Sequence, residues 1–330
     1  MNVVLLVVDA LRYDRCGFAG YERDTTPFLD KFAEQNTVFH EAYSPSTHTR
    51  ESVAGILTGK PPFESVNDDY ELKAETIAEE LKEQGYSTSA FHSNVFLSKP
   101  YGYAKGFDEF YDGLQFSGFK IGALAEQFVE KTTGKKVYTR ADDINEMAEK
   151  WWRKTGGDKF MWIQYMDVHG PYEPEENYQI WAEWDDREKV RKLYKRAANG
   201  DPEDISEEEA EYMSDLYDCE IRYMDQKIKQ LVEFLENQDE ENSEETMIII
   251  TSDHGEAFGE HGYYDHPRKL DPVLTHVPLL INTGNDEVDQ PVTLLDTYTT
   301  ATTQENSYGQ TDPTVQARSE DGKERRKSSI

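Results

Sequence analysis

The chain has 330 residues, of which 35 are basic and 66 acidic, so its formal net charge is −31. Such a charge repels nucleic acid and anionic lipid and argues against a phosphate-backbone partner. Hydrophobic residues make up 37% of the chain and aromatic residues 12%, which is enough for a folded core and argues against a disordered acidic protein. This length predicts one large α/β domain with excursions, or two unequal domains.

The charge and the termini also bear on where the protein works. Self-repulsion destabilises a folded protein this acidic unless salt screens it, so we expect adaptation to a high-salt cytoplasm. Two cysteines, Cys16 and Cys219, do not make a disulfide framework. The sequence shows neither a signal-peptide pattern nor an apolar run long enough to span a membrane. We therefore predict a soluble cytoplasmic protein.

The first predicted element is a strand at the N-terminus. Residues 3–8 are a continuous apolar run that ends at Asp9, as in a strand that is buried on both faces of a parallel sheet. A carboxylate at such a position is costly to bury without a cation or hydrogen-bond donors. Asp9 is therefore either a ligand of a positive ion or a cap of the following turn.

The next region of interest is a helix predicted from about residue 50 to Gly59, after a helix that starts at Thr26-Pro27 and a strand at residues 37–39. Thr49 would stand at its N-terminus, where free backbone N–H groups favour an anion. Its hydroxyl is either a nucleophile toward a bound phosphate or sulfate ester, or a simple helix cap.

Alternating α/β units fill the middle of the chain. The predicted elements are a helix at residues 75–84, a strand at 86–92, a strand at 160–166, a polar surface excursion at 173–205, a helix at 207–235 and a late strand at 274–281. The strand that ends at residue 166 is followed by Asp167 and His169. The excursion is expected near the mouth of a site.

A second strand delivers polar side chains at its C-terminal end. Residues 247–250 are apolar, and Asp253, His254 and Gly255 follow closely. Open α/β sheets bind ligands at this edge. An oxygen and an imidazole nitrogen suit zinc, manganese or a similar divalent ion, and glycine lets the backbone turn close to it.

Five segments of the chain resemble the sulfatase family of the alkaline phosphatase superfamily and occur in the order seen there. These segments are residues 7–12, 49–59, 167–172, 217–225 and 251–256. The resemblance covers about residues 1–281 and implies an α/β fold with a mostly parallel central sheet flanked by helices. We expect a catalytic domain at residues 1–285 and a disordered polar tail at 286–330, with the family's C-terminal subdomain missing or truncated.

The resemblance also implies a set of metal ligands. These are Asp9, the Thr49 oxygen, Asp253 and His254, around a divalent ion that could be manganese, zinc, calcium or magnesium. Thr49 stands where the family keeps a Cys or Ser nucleophile, and Ala10 stands where it usually has a second acidic ligand. The family's Lys-x-His falls near Asn94. These departures are similar to the threonine-nucleophile branch of the superfamily, which includes phosphodiesterases and phosphoglycerol transferases.

The remaining site residues follow from the same resemblance. His169 is the candidate to protonate the leaving oxygen or to bind the non-bridging oxygens, unless it only belongs to a turn. His266 and Lys269 are candidates for anion binding, although Lys269 could equally belong to a solvated basic pair with Arg268. Arg50 and Asn94 are candidates for substrate binding. We expect a metal-dependent hydrolase that cleaves sulfate or phosphate esters through a covalent threonine intermediate. Its substrate would be a small anionic ester, such as a sulfated or phosphorylated sugar, a lipid headgroup or an aryl ester. The alternative is an inactive relative that binds an anionic ligand.

Overall fold

A central β-sheet organises the protein in the computed structural model, which describes residues 1–113, 138–184 and 186–309. The strands are β1 (Asn2–Val8), β2 (Thr37–Phe39), β3 (Ala42–Tyr43), β4 (Ser87–His92), β5 (Glu109–Tyr111), β6 (Lys159–Tyr165), β7 (Thr246–Ser252), β8 (Ala257–Phe258), β9 (Tyr264–Asp265), β10 (Leu279–Ile281), β11 (Glu287–Val288) and β12 (Val292–Thr293). Eight of them form one sheet in the order β11-β2-β10-β7-β1-β6-β4-β5. Only β10 runs antiparallel to its neighbours in this sheet, as far as the described strands show. The predicted mostly parallel sheet is thus confirmed.

Helices cover both faces of this sheet. They are α1 (Pro27–Gln35), α2 (Thr49–Thr58), α3 (Pro62–Ser65), α4 (Ile77–Glu83), α5 (Ala141–Lys154), α6 (Arg187–Asn199), α7 (Glu207–Asn242), α8 (Pro272–Thr275) and α9 (Thr297–Thr303). Alternate side chains of β1 enter opposite cores, because successive residues of a strand point to opposite faces. Val4 and Leu6 pack in the core that contains α1, α5 and α7, whereas Val3 and Leu5 pack in the core that contains α2 and α4.

The register of the central strands brings their C-terminal ends together. Val8 of β1 pairs with Tyr165 of β6 on one side and with Ser252 of β7 on the other. The residues that follow these strands therefore meet at one edge of the sheet. The fold delivers Asp9 and Asp253 to neighbouring positions there.

Helix α2 agrees closely with the sequence prediction. It begins at Thr49, and Gly59 follows its last residue with φ 64°, a left-handed conformation that favours glycine. Helix α7 is longer than the predicted 207–235 and ends at Asn242. Ser206 caps it, since its side chain accepts a hydrogen bond from the Glu209 N–H.

The late strand predicted at residues 274–281 is wrong in its first half. The Asp271 side chain accepts a hydrogen bond from the Val273 N–H, and α8 then runs from Pro272 to Thr275. Pro272 stands at its first turn, where the missing N–H costs nothing. Only the last part of the predicted segment is a strand, β10.

The prediction of a disordered tail from residue 286 is wrong for residues 286–309, which pack on the domain. Strands β11 and β12 pair with β2 and β3, and Tyr308 is buried against Phe39. Leu295 and Tyr298 pack against Gly55 and Gly59 of α2. A threonine-rich helix such as α9 buries small residues, so its composition gives little sign of a core. Residues 310–330 of the predicted tail lie outside the described residues.

Two further predictions concern the cysteines and the membrane. Cys16 and Cys219 are both buried and free, in agreement with the absence of a disulfide framework. None of the helices within the described ranges is both long and apolar enough to cross a bilayer. The cytoplasmic location stays a prediction.

Candidate active site

The site is built on the residues that directly follow β1 and β7. Asp9, Asp253 and His254 are fully buried, and each offers one ligand atom within 4.8 Å of the others. His254 Nε2 lies 3.7 Å from Asp9 Oδ1 and 3.7 Å from Asp253 Oδ2. Three of the four predicted metal ligands therefore converge on one point.

This cluster fits a divalent cation. Burial, and then the neighbouring Asp253 carboxylate, raise the pKa of Asp9 to about 7. Asp9 Oδ1 is buried and has no hydrogen-bond partner among the described residues. Two buried carboxylates are costly side by side unless a positive charge lies between them. Two carboxylate oxygens and one imidazole nitrogen are a donor set that zinc or manganese accepts.

Hydrogen bonds hold the candidate ligands in their orientation. Asp253 Oδ1 accepts from the backbone N–H of Ala10 at 3.2 Å and of His254 at 3.0 Å, and Asp253 Oδ2 accepts from Gln164 at 3.3 Å. His254 Nδ1 lies 2.9 Å from the Gly255 carbonyl. This contact assigns the ring proton to Nδ1 and leaves the Nε2 lone pair facing the carboxylates.

Gly255 is required by a close backbone approach. A Cβ atom at this position would lie 2.0 Å from the Val273 carbonyl oxygen. The Gly255 N–H also donates to the Leu274 carbonyl at 2.8 Å. The glycine therefore packs the loop after β7 against α8, which explains it better than the metal-side turn expected from the sequence.

Thr49, the predicted nucleophile and fourth ligand, lies at the same point. Its hydroxyl is 3.2 Å from His254 Nε2 and 3.4 Å from Asp9 Oδ2. Ser52, one turn further along α2, donates to the Asp253 carbonyl at 2.6 Å and so fixes the helix to the strand end. The Thr49 side chain thus faces the position that a bound ion would take.

Two of the predicted substrate-binding residues line this centre or its surroundings. Asn94 donates to Asp9 Oδ2 at 3.4 Å. The Arg50 guanidinium lies between two aromatic rings, 4.3 Å from the centroid of Tyr70 and 4.4 Å from that of Phe96. Arg50 is thereby held at the start of α2, next to Thr49.

Lys269 lies apart from the centre. Its ammonium is 4.0 Å from the ring centroid of Tyr263, and its side chain is exposed. Within the described residues, no contact joins it to the ligand cluster. An anion-binding role for Lys269 stays a prediction that this position does not favour.

The predicted His266 is the centre of a group of histidines. Its ring centroid lies 4.4 Å from that of His254, 5.2 Å from that of His169 and 5.6 Å from that of His48. Burial lowers the pKa of His266, but Glu256 and then Asp265 outweigh this effect and raise the pKa well above its usual range. His266 therefore lies beside His254, which contacts Thr49, and His169 and His48 lie beside His266.

Several residues of the site carried no predicted role. Glu256 and Asp265 flank His266, and Tyr194 of α6 donates to Asp265 Oδ1 at 3.2 Å. Glu256 belongs to the segment after β7 that the resemblance already included, so it could have been found. Tyr194 lies in the polar excursion, where nothing in the sequence distinguishes it from other surface aromatics. Its contact agrees with the prediction that this excursion lies near the site.

Comparison with known proteins identifies the family. The family model described as Sulfatase matches residues 1–306. The chain belongs to the sulfatase family. Iduronate 2-sulfatase of Homo sapiens is 26% identical over 335 residues, which cover 85% of this chain and 59% of the human protein. Kdo(2)-lipid A phosphoethanolamine 7''-transferase of Escherichia coli K12 is 24% identical over 297 residues, which cover 88% of this chain and 45% of the transferase. The chain therefore spans about half the length of these curated relatives.

Solved structures show the same fold. The phosphonate monoester hydrolase of Agrobacterium radiobacter superposes with a TM-score of 0.71 at 16% identity, over 92% of this chain and 73% of that chain. At this identity the likeness concerns the fold alone. This member of the sulfatase family places Asp9, Asp253 and His254 at strand ends and a threonine at the start of α2.

Proposed function

We propose that this sulfatase-family protein is a metal-dependent phosphoester hydrolase or phosphotransferase that works through a covalent intermediate on Thr49. The observation that carries the proposal is the convergence of the Thr49 hydroxyl on Asp9 and His254, at 3.4 and 3.2 Å. A hydroxyl among metal-ligating groups at a helix N-terminus is suited to attack a bound anionic ester. Sulfatases, a phosphonate hydrolase and a phosphoethanolamine transferase among the similar proteins agree with ester cleavage or transfer in general.

Asp9, Asp253, His254 and the Thr49 oxygen would hold the divalent ion. When bound, the ion supplies positive charge that lowers the pKa of the Thr49 hydroxyl and offsets the charge on the transferring group. Thr49 Oγ attacks phosphorus in line, forms an Oγ–P bond, and the bond from phosphorus to the leaving oxygen breaks. Water, or a second alcohol in a transferase, then releases the phosphoryl group.

We propose that His169 supplies a proton and His266 a positive charge in these steps. His169 gives a proton to the leaving oxygen, since it lies at the edge of the histidine group and its Nδ1 contacts the Gly170 carbonyl at 2.7 Å. That contact leaves Nε2 for the substrate. His266, with its raised pKa, offers a positive charge to the non-bridging oxygens.

Phosphate is favoured over sulfate because Thr49 replaces the Cys or Ser that sulfatases convert to formylglycine. Turnover of p-nitrophenyl sulfate, p-nitrophenyl phosphate and bis-p-nitrophenyl phosphate, with manganese, zinc or calcium, tests this choice. Phosphoester cleavage that disappears in Thr49→Ala supports the proposal. Cleavage of the sulfate ester would contradict the preference for phosphate. If none of the three substrates is cleaved although metal is bound, an inactive anion-binding relative is favoured. Ala10, which stands in place of an acidic ligand, also agrees with that alternative.

The acidic surface suggests the conditions for this assay. We propose that the protein requires high salt for stability. The chain has 66 acidic but only 35 basic residues, and added ions screen repulsion between exposed charges. Melting temperatures should rise with added KCl. Melts that do not move between low and molar KCl would contradict this part of the proposal.

A further inference from the structure

A second group of metal-ligating side chains stands beside the Thr49 centre. Glu256, Asp265 and His266 each offer a ligand atom within 4.8 Å of the others. His266 Nδ1 lies 2.8 Å from Asp265 Oδ1 and 3.4 Å from Glu256 Oε1. Together they present two carboxylates and one imidazole nitrogen to a single point.

A short hairpin builds this group. Strands β8 and β9 pair antiparallel with Ala257 opposite Asp265, so Glu256 before β8 faces His266 after β9. Asp265 has φ 65°, a left-handed conformation that a residue with a side chain adopts at a cost. The backbone thus accepts a strained residue at the position where the Asp265 carboxylate meets the imidazole.

Glu256 is the observation that points to a cation. Its side chain is fully buried, and neither carboxylate oxygen has a hydrogen-bond partner in the described parts of the chain. The nearby Arg12 guanidinium binds the Glu256 carbonyl oxygen at 3.0 Å and forms ion pairs with Asp14 and Glu260 instead. A buried carboxylate without such compensation is costly, so positive charge is required on its His266 side.

We propose that Glu256, Asp265 and His266 bind a second divalent transition-metal ion, manganese or zinc. Carboxylate oxygens with one imidazole are a donor set for these ions, and three protein ligands leave coordination positions open to a substrate. A proton on His266 is the competing source of positive charge, and ion binding displaces it.

The second site adjoins the first, because the rings of His254 and His266 lie 4.4 Å apart between centroids. In enzymes with two neighbouring metal ions, the ions share the attacking and leaving oxygens of an in-line displacement. The inference therefore rests on the proposed phosphoester chemistry, and it deepens the preference for phosphate esters, whose oxygens carry more negative charge than those of sulfate esters.

Metal stoichiometry tests the proposal on the full chain. The protein is stripped with a chelator, dialysed against buffered free Mn²⁺ or Zn²⁺, and its metal content is measured by inductively coupled plasma mass spectrometry. We expect two equivalents in the wild type, one in Glu256→Gln, one in Asp265→Asn and one in Asp253→Asn. His261→Gln is the matched control, because His261 lies in the same hairpin but pairs with Asp271; it should keep two equivalents.

A second readout is the electron paramagnetic resonance spectrum of the manganese-loaded protein. Coupling between two manganese ions should appear in the wild type and disappear in Asp265→Asn. Because Asp265 is more exposed than Glu256, this variant keeps the test valid if Glu256→Gln does not fold. One equivalent in the wild type would overturn the second site and leave His266 as a protonated group. Two equivalents retained in both hairpin variants would overturn these ligands.

The outcomes separate this inference from the proposed function. Two bound ions without phosphoester turnover would contradict the proposed function alone. Turnover that depends on Thr49 with a single bound ion would contradict the second site alone.

Discussion

The strand-end centre and the β8–β9 hairpin bring similar side chains to the same space but support them differently. Asp253 receives two backbone N–H groups and one amide, and it follows a strand that is paired along its length with β1. Asp265 and His266 are only partly buried; Asp265 ends a strand of two residues, and His266 follows it. The sheet preorganises the groups nearest Thr49, whereas the groups on the β8–β9 hairpin depend on a few side-chain contacts.

The largest expected effect concerns the rigid centre. Thr49→Ala should lower kcat for bis-p-nitrophenyl phosphate by about 10³-fold or more, since it removes the proposed nucleophile while the other proposed ligands, Asp9, Asp253 and His254, remain. Thr49→Ser keeps a hydroxyl and is the conservative control, with a smaller loss. Steady-state kinetics at saturating metal measure both. Equal turnover in Thr49→Ala and wild type would show that another group attacks.

Removal of the bound metal should lower the free energy of unfolding of the protein. A ligand that binds only the folded protein at about 1,000 times its Kd stabilises it by about 4 kcal/mol. Adding a chelator should therefore lower the free energy of unfolding of the wild type by several kcal/mol and that of Asp253→Asn by less. Urea titrations with and without chelator measure the difference. Asp225→Asn, which changes a buried carboxyl that caps α1 away from the site, is the control and should respond like the wild type.

A medium effect is expected where the excursion packs on the site. A Cβ atom on Gly170 would lie 2.1 Å from Cε2 of Tyr194, so Gly170→Ala should cost about 1–3 kcal/mol through overpacking. Gly156→Ala is the matched control, since a Cβ atom there meets nothing within 4 Å. Urea unfolding compares the two. An equal effect of both substitutions would mean that α6 moves away at little cost.

The smallest expected effect concerns a single hydrogen bond to the β8–β9 hairpin. Tyr194→Phe removes the hydrogen bond to Asp265 Oδ1 and should cost about 0.5–1.5 kcal/mol. Amide hydrogen exchange should become faster in β8 and β9 and stay unchanged in β1 and β7. Exchange that changes equally in all four strands would contradict the view that the hairpin opens by itself.

Much of the rigid centre could be predicted from the sequence, because an apolar run that ends in a polar residue is a local pattern. This pattern predicts the positions of Asp9, Asp253 and His254, and the helix that starts at Thr49 predicts the position of that residue. The resemblance supplied their roles, and the family itself is confirmed. Their roles in catalysis stay predictions.

The sequence predicts His266 but not its contact with Glu256 and Asp265, because strands of two residues, such as β8 and β9, have no periodicity to detect. Glu256 and Asp265 come together through the pairing of Ala257 with Asp265. These two paired residues are separated in sequence by the whole turn of the hairpin. The segment from residue 286 failed for another reason: its buried surface consists of threonine, alanine and a few isolated large residues such as Leu294 and Tyr308, so its average composition resembles that of a solvated tail.

The position of β1 in the middle of the sheet has a consequence for how the protein is made. β1 is synthesised before its two partners, β6 and β7, the second of which begins at Thr246. At roughly 5–20 residues per second, a ribosome needs on the order of 10–50 s to reach that partner. Until β6 at Lys159–Tyr165 has been made, the apolar strand has neither neighbour, and it lacks one neighbour for the rest of the interval, so aggregation competes with folding. Nascent chains of this protein should therefore engage chaperones through their first strand until β7 has emerged.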